Sequence, residues 1–119
     1  MKHYMIVDIG TGNSRVALVR EDGVLICVKT FENIYYIDDA YEDAQYFDPS
    51  YWKRNILGLC REIIGMYPNI KIDAISSSGA RESIVLINRK QEDFYGLPNI
   101  DNRGRAWMAE IEKDGIYEK

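Results

Sequence analysis

Two apolar runs joined by a short polar loop constrain the fold of this 119-residue chain more than any other feature. The first run, Tyr4 to Ile9, is nearly continuous, which predicts a central strand covered on both faces. The second, Val16 to Val19, predicts another strand directly after the loop. Between them lie Gly10 and Gly12, and glycine lets a backbone bend and approach a ligand closely. The sequence therefore predicts a hairpin with an unusually permissive corner.

The side chains of this corner have the chemistry of a phosphate-binding loop. Successive N–H groups of a turn form an anion-binding concavity. Thr11, Asn13 and Ser14 add polar side chains, Arg15 adds positive charge, and Asp8 can hold a hydrated metal ion. These residues favour a site for nucleotide phosphates with magnesium. A polar hairpin turn without a ligand is the alternative that the stretch leaves open.

The next segments extend the hairpin into a three-stranded antiparallel meander. We expect the second strand over Arg15 to Arg20 and an Asp-Gly turn at Asp22 and Gly23. Val24 to Phe31, rich in β-branched residues, is expected to form the third strand. Residues 32 to 47 are acidic and tyrosine-rich with no regular period, which predicts a solvated connection. A calcium loop is disfavoured because the glycine and final Glu of an EF-hand are missing.

A long amphipathic helix follows this connection. Asp48 is expected as its N-cap, Pro49 as its first residue, and Pro68-Asn69 as its end. Apolar residues recur three and four positions apart, which gives the helix one buried stripe. The residues of that stripe are Trp52, Ile56, Leu59, Cys60, Ile63, Ile64 and Tyr67.

The strand after the helix is the one that locates a binding site. Ile70 to Ser76 is a candidate to pair parallel with the first strand through a crossover. Ligands of open α/β sheets bind at the carboxyl ends of such strands. The loops over residues 10 to 15 and 77 to 82 are therefore expected to face one cleft. Beyond them, Ser83 to Asn88 is expected as a fifth strand with a turn to residue 93, residues 96 to 105 as irregular, and residues 106 to 113 as helical.

Composition excludes several classes of function. A formal charge of -4 argues against sequence-independent nucleic-acid binding, which requires a basic face. No apolar run approaches the roughly 20 residues of a transmembrane helix. The first residues reach the charged Asp8 too soon for a signal peptide. Cys27 and Cys60 have no metal-site or disulfide pattern, so we expect reduced cysteines and a cytoplasmic protein.

Four segments, in order, resemble the FGGY carbohydrate kinases, which are sugar and polyol kinases on the actin-like ATPase fold. Asp8 to Arg15 is similar to the opening Asp-any-Gly-Thr pattern of that family, and Asp48-Pro49 with the following aromatics is similar to its helix start. Residues 75 to 88 resemble its strand, Ser-Gly loop and second strand. Pro98 to Arg103 carries its Asp-any-Arg triplet. The resemblance implies an α/β chain with a ribonuclease H-like core, as the first part of the N-terminal domain.

The resemblance also implies roles for particular residues. Asp8 would bind the magnesium of ATP through water, while the loop approaches the terminal phosphates with Thr11, Gly12, Asn13, Ser14 and Arg15. Arg81 and Glu82 resemble the Arg-Glu pair with which glycerol kinases hold substrate hydroxyls, and Asp101 matches another substrate position. Asn99 departs from the family because an aromatic residue often stands there.

Each substrate residue has a structural alternative. Arg81 and Glu82 form a surface ion pair in that alternative, and such a pair contributes less than about 1 kcal/mol. Asp101 and Arg103 brace their own loop, which is the interpretation we favour for Arg103. His3 stands alone near the start, so neither a catalytic dyad nor a zinc site is expected around it.

Length is the departure with the largest consequence, since the kinases of this family are several times longer. Their general base and adenosine-holding domain lie in regions that would follow Lys119. Residues 1 to 119 are therefore expected to be an incomplete N-terminal kinase domain, inactive alone, that exposes apolar sheet surface and self-associates through it. Two alternatives stay open: a non-catalytic interaction domain, and a ribonuclease H-like nuclease that would need Asp8, Glu82 and Asp101 around two metals.

Overall fold

The computed structural model describes residues 1–115; the predicted unclosed end at residues 116–119 lies outside the described residues. The elements are β1 His3–Ile9, β2 Asn13–Arg20, β3 Leu25–Glu32, β4 Tyr36–Ile37, β5 Gln45–Tyr46, α1 Pro49–Met66, β6 Ala74–Ser78, β7 Ile84–Ile87, β8 Asp93–Leu97, a 3-10 helix Arg103–Trp107 and α2 Met108–Lys113. The centre of the fold is a four-stranded mixed sheet in the order β3-β2-β1-β6.

The pairing confirms the predicted topology of the sheet. β1 pairs antiparallel with β2, and β2 pairs antiparallel with β3, which is the expected meander. β6 returns after α1 and pairs parallel with β1, with Tyr4 opposite Ala74 and Asp8 opposite Ser78. The carboxyl ends of β1 and β6 thus lie side by side at one edge of the sheet.

The helix begins and ends close to where its capping residues predict. One carboxylate oxygen of Asp48 accepts hydrogen bonds from the backbone N–H groups of Ser50 and Tyr51, at 2.9 and 3.2 Å. Pro49 occupies the first helical position, where its missing N–H has no helical partner to lose. The chain leaves the helix at Tyr67, just before Pro68.

The hydrophobic core lies between one face of the sheet and α1. Met5, Val16, Leu18 and Ile63 are each at most 1% exposed, and Val7 completes this buried cluster. The opposite face of β1 is only partly buried, so the expectation of a strand covered on both faces is wrong. Ile64, which the helical stripe placed in the core, is also half-exposed instead.

The second half of the chain differs most from the prediction. β6 begins at Ala74, later than expected, and β7 does not join the sheet but pairs with β8 in a separate hairpin. The sequence predicted a turn that ends at residue 93 and irregular structure from residue 96, with no strand at β8. Backbone hydrogen bonds in both directions between Phe47 and Gly96 fix this hairpin to the segment before α1. The connection over residues 32–47 also contains the two-residue strands β4 and β5.

The chain is more extended than a closed domain of its length. Its radius of gyration is 18.6 Å, whereas a compact chain of this length has about 13.5 Å. Its accessible surface is 8559 Å², against about 6,600 Å² for a monomer of this mass. Every residue of β6 and β7 is exposed, including Ile75, Ile84 and Ile87. No helix among residues 1–115 is long and apolar enough to span a membrane.

Candidate phosphate-binding site

Asp8 is held at the edge where β1 and β6 end. Its Oδ1 accepts a hydrogen bond from Ser78 Oγ at 2.9 Å, and its Oδ2 pairs with Arg15 Nη1, also at 2.9 Å. The Ser78 hydroxyl, followed by the Arg15 guanidinium, lowers the pKa of Asp8 below its ordinary value. The carboxylate is therefore ionised at neutral pH, and its side chain remains 45% exposed. The two strands end side by side at Asp8 and Ser78, as predicted, and a single cleft between the loops over residues 10 to 15 and 77 to 82 stays a prediction.

The glycine corner is a tight turn in which only one glycine is required for steric reasons. The N–H of Gly10 donates to the carbonyl of Asn13 at 3.1 Å, which closes the turn. A Cβ at Gly10 would stand 2.7 Å from that same carbonyl oxygen, so a larger residue would force the turn open. Gly12 has open space around it.

Asn33, a buried residue that belongs to no motif recognised in the sequence, holds this turn in place through hydrogen bonds. Asn33 is 6% exposed, and its Oδ1 accepts a hydrogen bond from Ser14 Oγ at 2.8 Å. Its Nδ2 donates to the carbonyls of Gly10 and Thr11, at 2.6 and 3.2 Å. Its backbone N–H donates to the carbonyl of Gly12 at 2.9 Å. One residue therefore contacts three successive carbonyl groups of the loop.

Two further residues tie Thr11 to distant parts of the chain. The hydroxyl of Tyr35 donates to the carbonyl of Thr11, and burial raises the pKa of this tyrosine. Asn99 Nδ2 donates to Thr11 Oγ1 at 3.1 Å and brings the segment after β8 against the glycine corner. Sequence alone could not identify these partners because they lie 24 and 88 positions from Thr11.

The predicted phosphate-binding residues divide into two groups. Thr11, Gly12, Asn13 and Arg15 are exposed at the corner. Ser14 is fully buried, and its hydroxyl is committed to Asn33. In this structure the Ser14 hydroxyl anchors the residue that holds the loop and is not presented at the exposed corner, and contact of Ser14 with phosphate stays a prediction.

Arg81 and Glu82 lie in an exposed turn that follows β6 by three residues. Within residues 1–115 neither side chain has a hydrogen bond or ion pair, so the alternative of a mutual surface pair does not hold here. Glu82 has a φ of 61°, a left-handed conformation that is uncommon for residues other than glycine, Asn and Asp. Such conformations are enriched at ligand-binding positions.

Asp101 and Arg103 brace their loop, as the structural alternative expected. Asp101 Oδ1 accepts from the backbone N–H of Gln45 at 2.8 Å and from Arg103 Nε at 2.9 Å. Arg103 Nη2 donates to the Tyr95 hydroxyl and to the Gln45 carbonyl, and Nη1 lies 3.6 Å from Asp38. The Asp101 side chain is only 10% exposed, so its carboxylate is occupied by this brace.

An apolar cavity of about 360 Å³ lies beside the loop that follows β6. It is lined by Ile9, Phe47, Trp52, Ile56, Ala80 and Val85, among others, and Arg81 and Glu82 do not line it. Its apolar walls do not suit a polyol.

Within residues 1–115 no three His, Cys, Asp or Glu side chains form a metal-binding cluster, so Asp8, Glu82 and Asp101 do not form the two-metal site that a nuclease requires.

Comparison with known proteins agrees with the resemblance drawn from the sequence. The chain is 39% identical over 110 residues to YoaC of Bacillus subtilis strain 168, provisionally named a sugar kinase. The alignment covers 92% of this chain and 23% of YoaC. No protein-family model matches the chain. Solved structures of glycerol kinase from Plasmodium falciparum with ADP and xylulose kinase from Rhodospirillum rubrum superpose with TM-scores of 0.85 and 0.80.

The proteins to which this chain is similar are named as sugar or polyol kinases. The two solved structures are only 16% and 18% identical in sequence to this chain over the aligned region and show the fold alone. Both alignments cover 95% of this chain and 23% of the solved one. The chain thus spans about a quarter of the length of the sugar kinases that it matches, and its actin-like kinase fold is that of their corresponding region.

Proposed function

We propose that this chain supplies the phosphate-binding part of an FGGY-type kinase that transfers the terminal phosphoryl group of ATP to a sugar or polyol. The observation that carries the proposal is the position of Asp8. It is an ionised carboxylate at the carboxyl ends of two parallel strands, directly before a glycine corner with exposed donors. A hairpin without a ligand does not need this arrangement.

The residues around Asp8 fit a hydrated magnesium ion. Each carboxylate oxygen has accepted one hydrogen bond and can accept another, so water-mediated contact with the ion remains open to Asp8. Magnesium usually retains several waters and binds phosphates together with one or two carboxylates. When bound, it would neutralise charge on the phosphates. Arg15 uses one of its five N–H donors on Asp8, which leaves others for a phosphate oxygen.

The proposed roles of the other site residues follow from how exposed and how engaged each residue is. Thr11, Gly12 and Asn13 would contact the phosphates through their N–H groups and side chains, while Ser14 would act only from beneath the loop. Arg81 and Glu82 have unengaged charged groups at the same edge of the sheet, which supports contact with the hydroxyls of the substrate. Because its carboxylate is occupied, Asp101 would position this loop through Arg103 instead of binding substrate directly.

We also propose that residues 1 to 119 form part of the N-terminal domain, and that the general base belongs to the three quarters of the relatives that this chain does not span. Positioning and electrostatics supply most of the catalysis in phosphoryl transfer, but a base must still accept the proton of the attacking hydroxyl. The isolated chain is then expected to bind phosphates without transferring them. The two cysteines, which are unpaired, support a cytoplasmic location.

Calorimetry with the isolated chain tests the proposal. ATP, GTP and inorganic tripolyphosphate should bind weakly, with similar affinity and only when magnesium is present, because these residues contact phosphates and not the base. Asp8→Asn should abolish the magnesium-dependent binding. Asp114→Asn, a matched charge change at an exposed residue far along the chain, should leave it intact. Absence of magnesium-dependent binding would overturn the proposed site, and phosphotransfer to any polyol would contradict the proposed inactivity.

A non-catalytic interaction domain is the alternative that a separate observation favours. The accessible surface exceeds that of a closed monomer by roughly 1,900 Å². This excess is larger than the area that a single partner buries in a standard protein–protein interface. Under this alternative the chain self-associates through its exposed β6 and β7 surface and binds no tripolyphosphate. Light scattering combined with the calorimetry distinguishes the two functions.

A further inference from the structure

Asn33 lies beneath the glycine corner at the point where three carbonyl groups converge. Its side-chain amide has two hydrogens, which are directed to the carbonyls of Gly10 and Thr11. Its backbone N–H takes the carbonyl of Gly12. The orientation of the amide is fixed by chemistry, because carbonyl oxygens cannot donate and only Nδ2 can face them. The Ser14 hydroxyl then donates to Oδ1 on the other side.

These contacts determine which way the peptide N–H groups of the corner point. In a planar trans peptide, the carbonyl of one residue and the N–H of the next point in opposite directions. Carbonyls 10, 11 and 12 are turned towards Asn33 and Tyr35, so the N–H groups of Thr11, Gly12 and Asn13 are turned away from them. Within residues 1–115, the N–H groups of Thr11 and Gly12 have no hydrogen-bond partner, and both residues are exposed.

We infer that Asn33 is a positioning residue that orients the backbone amides of the corner outwards as an anion-binding concavity. Burial gives this inference its specificity. A buried asparagine with both polar atoms of its side chain engaged has one stable arrangement, and an unsatisfied buried carbonyl carries a desolvation penalty. The inference rests on the proposed function for the identity of the anion, a polyphosphate, but the orientation of the loop can be tested without any ligand.

The first experiment compares amide signals in ¹H–¹⁵N spectra of the ligand-free chain. Asn33→Asp keeps the size of the side chain and its acceptor for Ser14, but places a carboxylate against two carbonyl oxygens. Asn33→Leu removes the donor without adding charge. Both variants should shift the signals of Thr11 and Gly12 while the signals of β1 and β2 stay in place. Asn69→Asp, an exposed site with the same charge change, should shift neither.

The second experiment titrates the same samples with tripolyphosphate and magnesium. The original chain and Asn69→Asp should bind alike, and both Asn33 variants should lose about tenfold in affinity or more. Unchanged loop signals or unchanged affinity in Asn33→Leu would overturn the role of Asn33. Loop signals that shift in the first experiment, with no binding by the original chain in the second, would support the role and overturn the proposed function. Should the Asn33 variants fail to fold, Ser14→Ala, which only frees Oδ1, must still weaken binding a few-fold.

Discussion

The central sheet with α1 and the β7–β8 hairpin are held in place by different interactions. The first unit has a dry core, in which Met5, Leu18 and Ile63 are all but inaccessible. All four residues of β7 are exposed, and the hairpin depends on a backbone bridge to Phe47 and on polar contacts around Arg103. Burial of apolar area is the larger stabilising contribution. The hairpin should therefore open before the sheet unfolds.

Among the substitutions that test this comparison, removal of a buried side chain from the core is expected to lower the free energy of unfolding most. Ile63→Ala deletes a fully buried side chain from the only long helix that packs on the sheet within residues 1–115, and should lower the free energy of unfolding by about 3 kcal/mol. Ile64→Ala, on the same helix but half-exposed, should cost less than about 1 kcal/mol. Urea denaturation followed by circular dichroism measures both. Equal effects would mean that α1 does not pack in the orientation described.

A single methyl group added at Gly96 should detach the β7–β8 hairpin from Phe47. A Cβ at Gly96 would lie 2.4 to 2.6 Å from the ring of Phe47, which stacks on Trp52. Gly96→Ala should therefore cost about 1 to 3 kcal/mol and should increase hydrogen exchange in β7 and β8 more than in β1 and β2. Gly58→Ala, in the exposed middle of α1 with open space around it, should instead stabilise the chain by up to about 1 kcal/mol. Uniform loss of protection in Gly96→Ala would show that the two units unfold together.

The same contrast explains which elements could be predicted from sequence. The meander, its parallel partner and α1 follow from local signals, namely continuous apolar runs, an Asp-Gly turn and the Asp48-Pro49 start. β8 was missed because its Gly96 and the following Pro98 indicate irregular structure, whereas Gly96 in fact pairs with Val85 of β7 and bridges to the distant Phe47. The start of β6 was placed too early because Ile70 and Ile72 read as strand residues, whereas they pack against the core from the segment before β6.

The candidate site was predictable to the same extent. The residues of the corner were visible because glycines, hydroxyls and a carboxylate stand together in the sequence. Asn33, Tyr35 and Asn99 were not, because their roles arise from contacts with the backbone of Thr11 and its neighbours across the fold. The buried face of Ser14 follows from strand alternation with Val16 and Leu18, but its hydrogen bond to Asn33 requires the tertiary structure.

Acid should separate the two units without any substitution. Asp38 contacts the hairpin cluster, and the Tyr95 hydroxyl holds the pKa of Asp38 below its ordinary value. A carboxylate with a lowered folded-state pKa contributes stability above its unfolded pKa of about 4 and loses it as the pH falls through the folded value. We expect amide signals of β7 and β8 to change between about pH 5 and pH 3 while those of β1 and β2 away from Asp8 persist. Asp38→Asn should weaken this pH dependence without removing it, because the pKa of Asp93 in β8 is also lowered. Loss of structure in both units at one pH would contradict the separation.

Substitution on the exposed face of the hairpin should have the smallest effect on a single chain. Ile84 is 57% exposed, so Ile84→Thr, which keeps the β-branched shape, should change the free energy of unfolding by less than about 0.5 kcal/mol. This small change in the free energy of unfolding is expected only when the exposed face of the hairpin is not covered by another chain. If copies of the chain associate through β6 and β7, the same variant should lower the apparent mass in light scattering and the unfolding midpoint should depend on protein concentration. A large loss of stability at a concentration where the chain is monomeric would show that the hairpin face is packed, and the contrast between the two units would then be wrong.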